Sequence, residues 1–142
     1  MIRKYLTVAA LIGLVIPNVH AEPSSAVAFD VPTLTMLRNA DPERGAAIAD
    51  EEKCAKCHGD AGVSDDPDDI NIAGMSKSYI YKQLMDYKDK SRDARDMYKR
   101  VKDLEPQQLA DMAAWYATLE PAPANPARVM TPEVRKLIVH GD

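Results

Sequence analysis

The chain has 142 residues, 28% charged and 46% apolar, with a formal net charge of −4 at pH 7. That balance describes a globular polypeptide rather than a disordered one, and its acidity argues against a nucleic-acid binder, which needs basic surface to release counterions from phosphates. Two cysteines are too few for a disulfide framework, and 6% aromatic residues leave a modest core unless a cofactor completes it.

Residues 1–21 read as a signal peptide: a charged start at Arg3 and Lys4, an apolar run from Tyr5 to Ile16, then Val19-His20-Ala21 before Glu22. The run is short for a bilayer span, so cleavage and export to the periplasm are expected, with an uncleaved anchor as the alternative. Cleavage leaves 121 residues, enough for one domain, and takes the charge to −6. Residues 22–40 hold two prolines and no clear period, which predicts an extended leader from which Leu34 and Leu37 can dock.

A compact domain over 41–120 is expected to follow. Asp41-Pro42-Glu43 carries an N-cap, a first-turn proline and an acid at the positive helix end, predicting a helix toward Lys53. Residues 60–71 are rich in Asp, Gly and Pro and predict a loop. Ile80, Leu84 and Tyr87 share one face of a helix over 78–88. Leu109, Met112, Ala113, Tyr116 and Leu119 form a buried stripe on a helix that starts near Pro106. Pro121-Ala122-Pro123-Ala124-Asn125-Pro126 forbids helix and reads as a stiff linker. Thr131-Pro132-Glu133 then opens a short helix with Val134, Leu137 and Ile138 on one side, so 121–142 are a linker and terminal helix. No β alternation of useful length appears, and the class is all-α.

The chemistry is concentrated in Cys54-Ala55-Lys56-Cys57-His58, the C-x-x-C-H signature of c-type haem attachment. Two thiols two residues apart can form thioethers with the vinyl groups on one porphyrin edge, and the adjacent imidazole can then be the proximal iron ligand. Such a haem also accounts for the shortage of aromatic core. A thioredoxin-like dithiol would need a βαβ context that is missing. A zinc site would need four ligands, and beyond these three the exported chain offers the distant His140. A Cys54–Cys57 disulfide would close too small a loop to stabilise much.

With Arg44-Gly45 ahead of that motif, Gly59 behind it, Ile72-Ala73-Gly74, Tyr79, Lys82-Gln83-Leu84, Leu104 and Ala110-Asp111-Met112-Ala113-Ala114-Trp115-Tyr116-Ala117, the chain resembles the class I c-type cytochromes, in the small bacterial periplasmic branch related to tandem two-haem proteins. The resemblance spans roughly 41–119. It implies a small cytochrome c fold, with helices wrapped around one covalently bound haem held by Cys54, Cys57 and His58. It also implies crossing first and last helices, with Gly45 against Trp115 or Tyr116, and a position for Tyr79 near the haem edge. Where the family usually has a proline whose carbonyl accepts the proximal imidazole proton, this chain has Ile70.

A methionine at the sixth position raises the reduction potential and closes the iron to small ligands. Candidates are Met36, Met75, Met85, Met97, Met112, Met130 and His140. The resemblance favours Met97, 39 residues after His58 and seven before Leu104. The charged stretch Ser91–Asp96 ahead of it lacks the family's usual glycine and proline, so the ligand-bearing segment is expected to be partly helical.

Residues 41–69 carry ten acids against three bases, whereas 77–102 carry nine bases against four acids. Such a dipole can orient the protein on an acidic redox partner through the basic segment. The expected function is a one-haem electron carrier rather than an enzyme. The alternatives are a cytochrome subunit of a periplasmic dehydrogenase, the N-terminal part of a two-haem cytochrome, or a haem-based sensor with an open sixth position. The tail from Arg135 to Asp142 resembles the opening of a second haem domain in tandem relatives.

Overall fold

The computed structural model describes residues 25–66 and 68–122. Among the described residues there are six helices and no strand: α1 (Val31–Arg38), α2 (Pro42–Glu51), α3 (Ala55–His58), α4 (Lys77–Asp89), α5 (Arg95–Val101) and α6 (Pro106–Thr118). The signal peptide, most of the linker, the terminal helix, Met130 and His140 lie outside the described residues. No described helix is long and apolar enough to cross a membrane.

The starts of these helices follow from local chemistry. The Asp41 carboxylate accepts the backbone amides of Glu43 at 2.9 Å and Arg44 at 3.2 Å, so α2 begins at Pro42. Gln108 reaches back to accept the Glu105 amide at 2.8 Å, which closes the first turn of α6. Ser76 caps α4, and Lys90 ends it in the left-handed region at φ 66.

The most extensive interhelical contact is between α2 and α6. A side chain at Gly45 would place its Cβ 2.0 Å from the Asp111 carbonyl oxygen and 2.8 Å from the Met112 nitrogen. The expected partners, Trp115 and Tyr116, are therefore corrected: Gly45 lies on the α6 backbone itself. The glycine that an aromatic ring approaches is Gly62, where a Cβ would lie 3.1 Å from the Tyr116 ring. With no side chain on α2 at the crossing, the two helix axes come close enough for main chain to meet main chain.

Asp111 is fully buried beside this crossing and wholly satisfied. It accepts the Asp41 amide and the Gln107 side chain, each at 2.9 Å, and pairs with Arg44 Nε at 2.5 Å. Burial pushes its carboxyl up, but Arg44, the Asp41 amide and Gln107 outweigh that and hold it below the ordinary carboxylate range. Around it, Ile48 and Ala49 of α2, Ile80, Leu84 and Tyr87 of α4, Val101 of α5 and Leu109, Ala113 and Tyr116 of α6 form one core.

The leader departs from the extended backbone expected of it, because α1 forms there. Asp30 accepts the Thr33 amide at 2.9 Å and Pro32 occupies the first turn, the same start signals that open α2. Of the two leucines expected to dock, Leu37 is buried and Leu34 stays exposed at 48%. Ahead of α1, Ser25 hydrogen-bonds the buried carboxylate of Asp86, which also pairs with Lys82 at 2.5 Å.

Candidate cofactor site

The thiol–imidazole motif sits on a reversal directly after α2. Lys53 takes a left-handed conformation at φ 58, and its amide and that of Cys54 return to Asp50 and Ala49 at 2.9 and 3.0 Å. One helical turn follows, with the His58 amide donating to the Cys54 carbonyl at 3.0 Å. Spacings of three and four residues in that turn put Cys57 and His58 beside Cys54 on one side. Gly59 (φ 74) ends the turn so tightly that a Cβ there would lie 1.9 Å from the Val63 carbonyl oxygen.

The loop after it folds back to orient the imidazole. The amides of Ile72 and Ala73 both donate to the Gly62 carbonyl, at 2.8 and 3.0 Å. This brings the Ile70 carbonyl to 2.8 Å from His58 Nδ1. A carbonyl only accepts, so Nδ1 carries the hydrogen and Nε2 keeps its lone pair free for a metal. Ile70 thus supplies the contact that the resemblance assigns to its position, without needing the proline.

These residues open onto a cavity of about 580 Å³, within the range of small-molecule and cofactor sites. Cys54, Cys57 and His58 line it, with Ile70 and Ile72 of the loop, Tyr79, Leu84 and Tyr87 of α4, Met97 and Val101 of α5, and Met112 and Tyr116 of α6. Burial pushes the Cys54 thiol up, which keeps it protonated, while Cys57 is exposed. Burial raises the Tyr116 phenol as well, and the neighbouring Cys54 adds to that effect.

Three of the seven candidate distal ligands line the cavity: Met75, Met97 and Met112. Met112 is almost fully buried in the α2–α6 core. Met75 belongs to the loop that holds the His58 ring, its amide returning to Ile72 at 3.4 Å. Met97 arrives on a separate element, and the helix expected to encroach on its segment is α5, from Arg95 to Val101. Asp96 in the first turn and Lys99 and Arg100 in the last complement the helix dipole.

A cavity of this size that gathers two thiols, an imidazole with its outer nitrogen free and an apolar interior fits an iron porphyrin held covalently. It fits a bare metal ion poorly, since no three His, Cys, Asp or Glu side chains converge on a cation position among the described residues. Sequence reasoning missed Arg92, Arg100 and Lys53 as cavity-lining residues. All three are exposed and lie apart in sequence, so only folding brings them to one cavity.

Comparison with known proteins agrees with this geometry. The Cytochrome c family model matches residues 42–120. The chain is 36% identical over 85 residues to cytochrome c4 of Pseudomonas aeruginosa, covering 60% of this chain and 42% of that protein. It is 40% identical over 83 residues to cytochrome c4 of Thiocapsa roseopersicina, covering 58% of this chain and 42% of the relative. A third relative, cytochrome c-554(548) of Halomonas halodenitrificans, is 33% identical over 82 residues, with 54% of this chain and 99% of the relative covered. The chain thus spans less than half the length of either cytochrome c4 but nearly all of the third protein.

Proposed function

The chain belongs to the cytochrome c family, and from that premise we propose that it is a periplasmic one-haem electron carrier in which His58 and Met97 would ligate the iron. When bound, haem supplies a one-electron ferric–ferrous couple. Cys54 and Cys57 hold the group through thioethers, so it stays with the domain outside the cytoplasm. The Ile70 carbonyl fixes the His58 tautomer and ring orientation, which keeps the imidazole a good donor. Met97 would offer the iron a soft thioether, which would favour the reduced state and keep small ligands out. The apolar walls exclude water from the centre and further favour the less charged form.

The observation that carries this reading is the convergence of Cys54, Cys57, His58 and Met97 on one cavity. Mass measurement of the exported protein is expected to show a single attached tetrapyrrole. Replacing Met97 by Ala is expected to abolish the weak near-red sulfur-to-iron band of the ferric protein and to let carbon monoxide bind the native ferrous form. A colourless protein, or one whose band survives Met97→Ala, overturns the assignment. No substrate is transformed by this chain alone; the partners are redox proteins.

The basic segment is the docking face in this reading. Arg92, Lys99 and Arg100 of that segment line the cavity, so an acidic partner seated there comes close to the haem. Reversing Lys99, Arg100 and Lys102 is expected to slow electron transfer at low salt and to flatten its ionic-strength dependence. An unchanged rate and salt profile removes the docking face.

A further inference from the structure

Helix α5 has only seven residues and buries one of them, Val101. A helix this short has no stability of its own in water, so its neighbours must hold it. Among the described helices its extensive contact is with α4, and two lysines at the end of α4 reach across. Lys88 Nζ donates at 2.7 Å to the carbonyl of Lys102, the C-cap of α5. Lys90 Nζ lies 4.4 Å from the centroid of the Tyr98 ring, one residue beyond Met97. Lys90 is also the left-handed C-cap of α4, so its backbone conformation sets the direction in which its side chain leaves that helix.

We propose that Lys88 and Lys90 are positioning residues that clamp α5 to α4 and so keep the Met97 sulfur presented to the cavity. The proposal rests on the reading of Met97 as distal ligand. Two observations give it weight. Neither lysine lines the cavity, so neither acts by touching the cofactor. The segment between the clamps and Met97, Ser91–Asp96, has no glycine or proline to stiffen it, so side-chain ties take over that task. The Lys88 ammonium satisfies a carbonyl at the end of α5 that has no partner within the helix, through a charge-assisted bond. The Lys90 ammonium is drawn to the Tyr98 ring face. Both lie in the basic segment, and a role confined to docking charge would leave the isolated protein unchanged when they are lost.

The test uses the isolated ferric holoprotein and imidazole as a competing ligand. In the double variant Lys88→Met, Lys90→Gln, displacement of the methionine sulfur is expected to run about tenfold faster than in the unaltered protein, the order of effect that two such contacts carry. Backbone amides of α5 are expected to exchange hydrogen faster, with those of α6 unchanged. The double variant Lys88→Arg, Lys90→Arg keeps both a donor and a cation over the ring and is expected to restore both readouts. Displacement and exchange equal to the unaltered protein in the first variant overturn the proposal, as does failure of the arginine variant to restore them. If the sulfur-to-iron band survives Met97→Ala, the ligand reading falls and the inference with it. If that band is lost while Lys88→Met, Lys90→Gln behaves as the unaltered protein, only the inference falls.

Discussion

The two sides of the cavity are held in different ways. Where α2 crosses α6, Gly45 brings main chain onto main chain and a buried Asp111 joins Asp41, Arg44 and Gln107. Where α5 meets α4, one side chain, Val101, enters the core, and the remaining ties are the ends of surface lysines, with Arg92 of the intervening loop over the Tyr87 ring at 4.8 Å. The first region adjoins the thiol–imidazole turn and the second carries Met97. In the proposed reading, the attached haem edge and His58 rest on this closely packed crossing, while Met97 rests on a seven-residue helix with one buried side chain and surface ties that open at lower cost. Stability and ligation should therefore be separable by mutation.

The largest effect on stability is expected at the crossing. Gly45→Val must push the helices apart, since its Cβ would overlap the Asp111 carbonyl, and a loss of about 3 kcal/mol or more is expected from the denaturation midpoint of the holoprotein. Asp111→Ala comes next, at about 2 kcal/mol, because it strands the Asp41 amide and Gln107. Its pH signature follows from linkage. The Asp111 carboxyl titrates below its unfolded value, so its contribution is present above about pH 4 and is lost as the pH falls through the folded value. The unaltered protein should lose stability faster than Asp111→Ala as the solution is acidified in that range, and parallel curves would show that the carboxylate contributes nothing.

Met97→Ala sharpens the contrast from the other side. The residue is half buried, so the packing loss is about 1–2 kcal/mol, yet the reduction potential is expected to fall and the sixth position to open. A variant of the crossing that altered ligation as much as stability would erase the distinction between the regions. Reversal of Lys99, Arg100 and Lys102 is expected to have the smallest effect on folding. All three residues are exposed, and the ion pairs of Lys99 and Lys102 are with surface aspartates, so its consequence should appear in the kinetics with a redox partner alone.

What could be read in the chain itself was what depends on neighbours in sequence. The pentapeptide from Cys54 to His58 states its chemistry within one helical turn, Asp41 starts α2 by accepting amides within three residues, and Pro106 starts α6 at a position where no amide is needed, with Gln108 accepting the Glu105 amide. The same rule was available at Asp30 and Pro32, but the lack of an apolar period around them concealed α1. It docks through the buried Leu37 with Met36 packed beside the core, and its contact with α6 is made only across the fold. Asp86 and Asp111 were equally hidden. An acid interrupting an apolar helix is the available sign, and Lys82 and Gln107 are near partners, but Ser25 and Arg44, which complete the two sites, are 61 and 67 residues away.

The sequence alone thus determined the all-α class, the C-x-x-C-H motif and the segregation of charge, and through its resemblance it pointed to Ile70 beside His58 and to the proposal of Met97. Only the folded chain decided that Gly45 meets backbone rather than an aromatic ring, that the Ile70 carbonyl reaches the imidazole without a proline, and that α5 leans on two lysines of α4. Periodicity, capping and motif spacing are properties of adjacent residues. Close approach, burial of charge and the aim of a ring nitrogen belong to pairs that the chain brings together only when its helices cross.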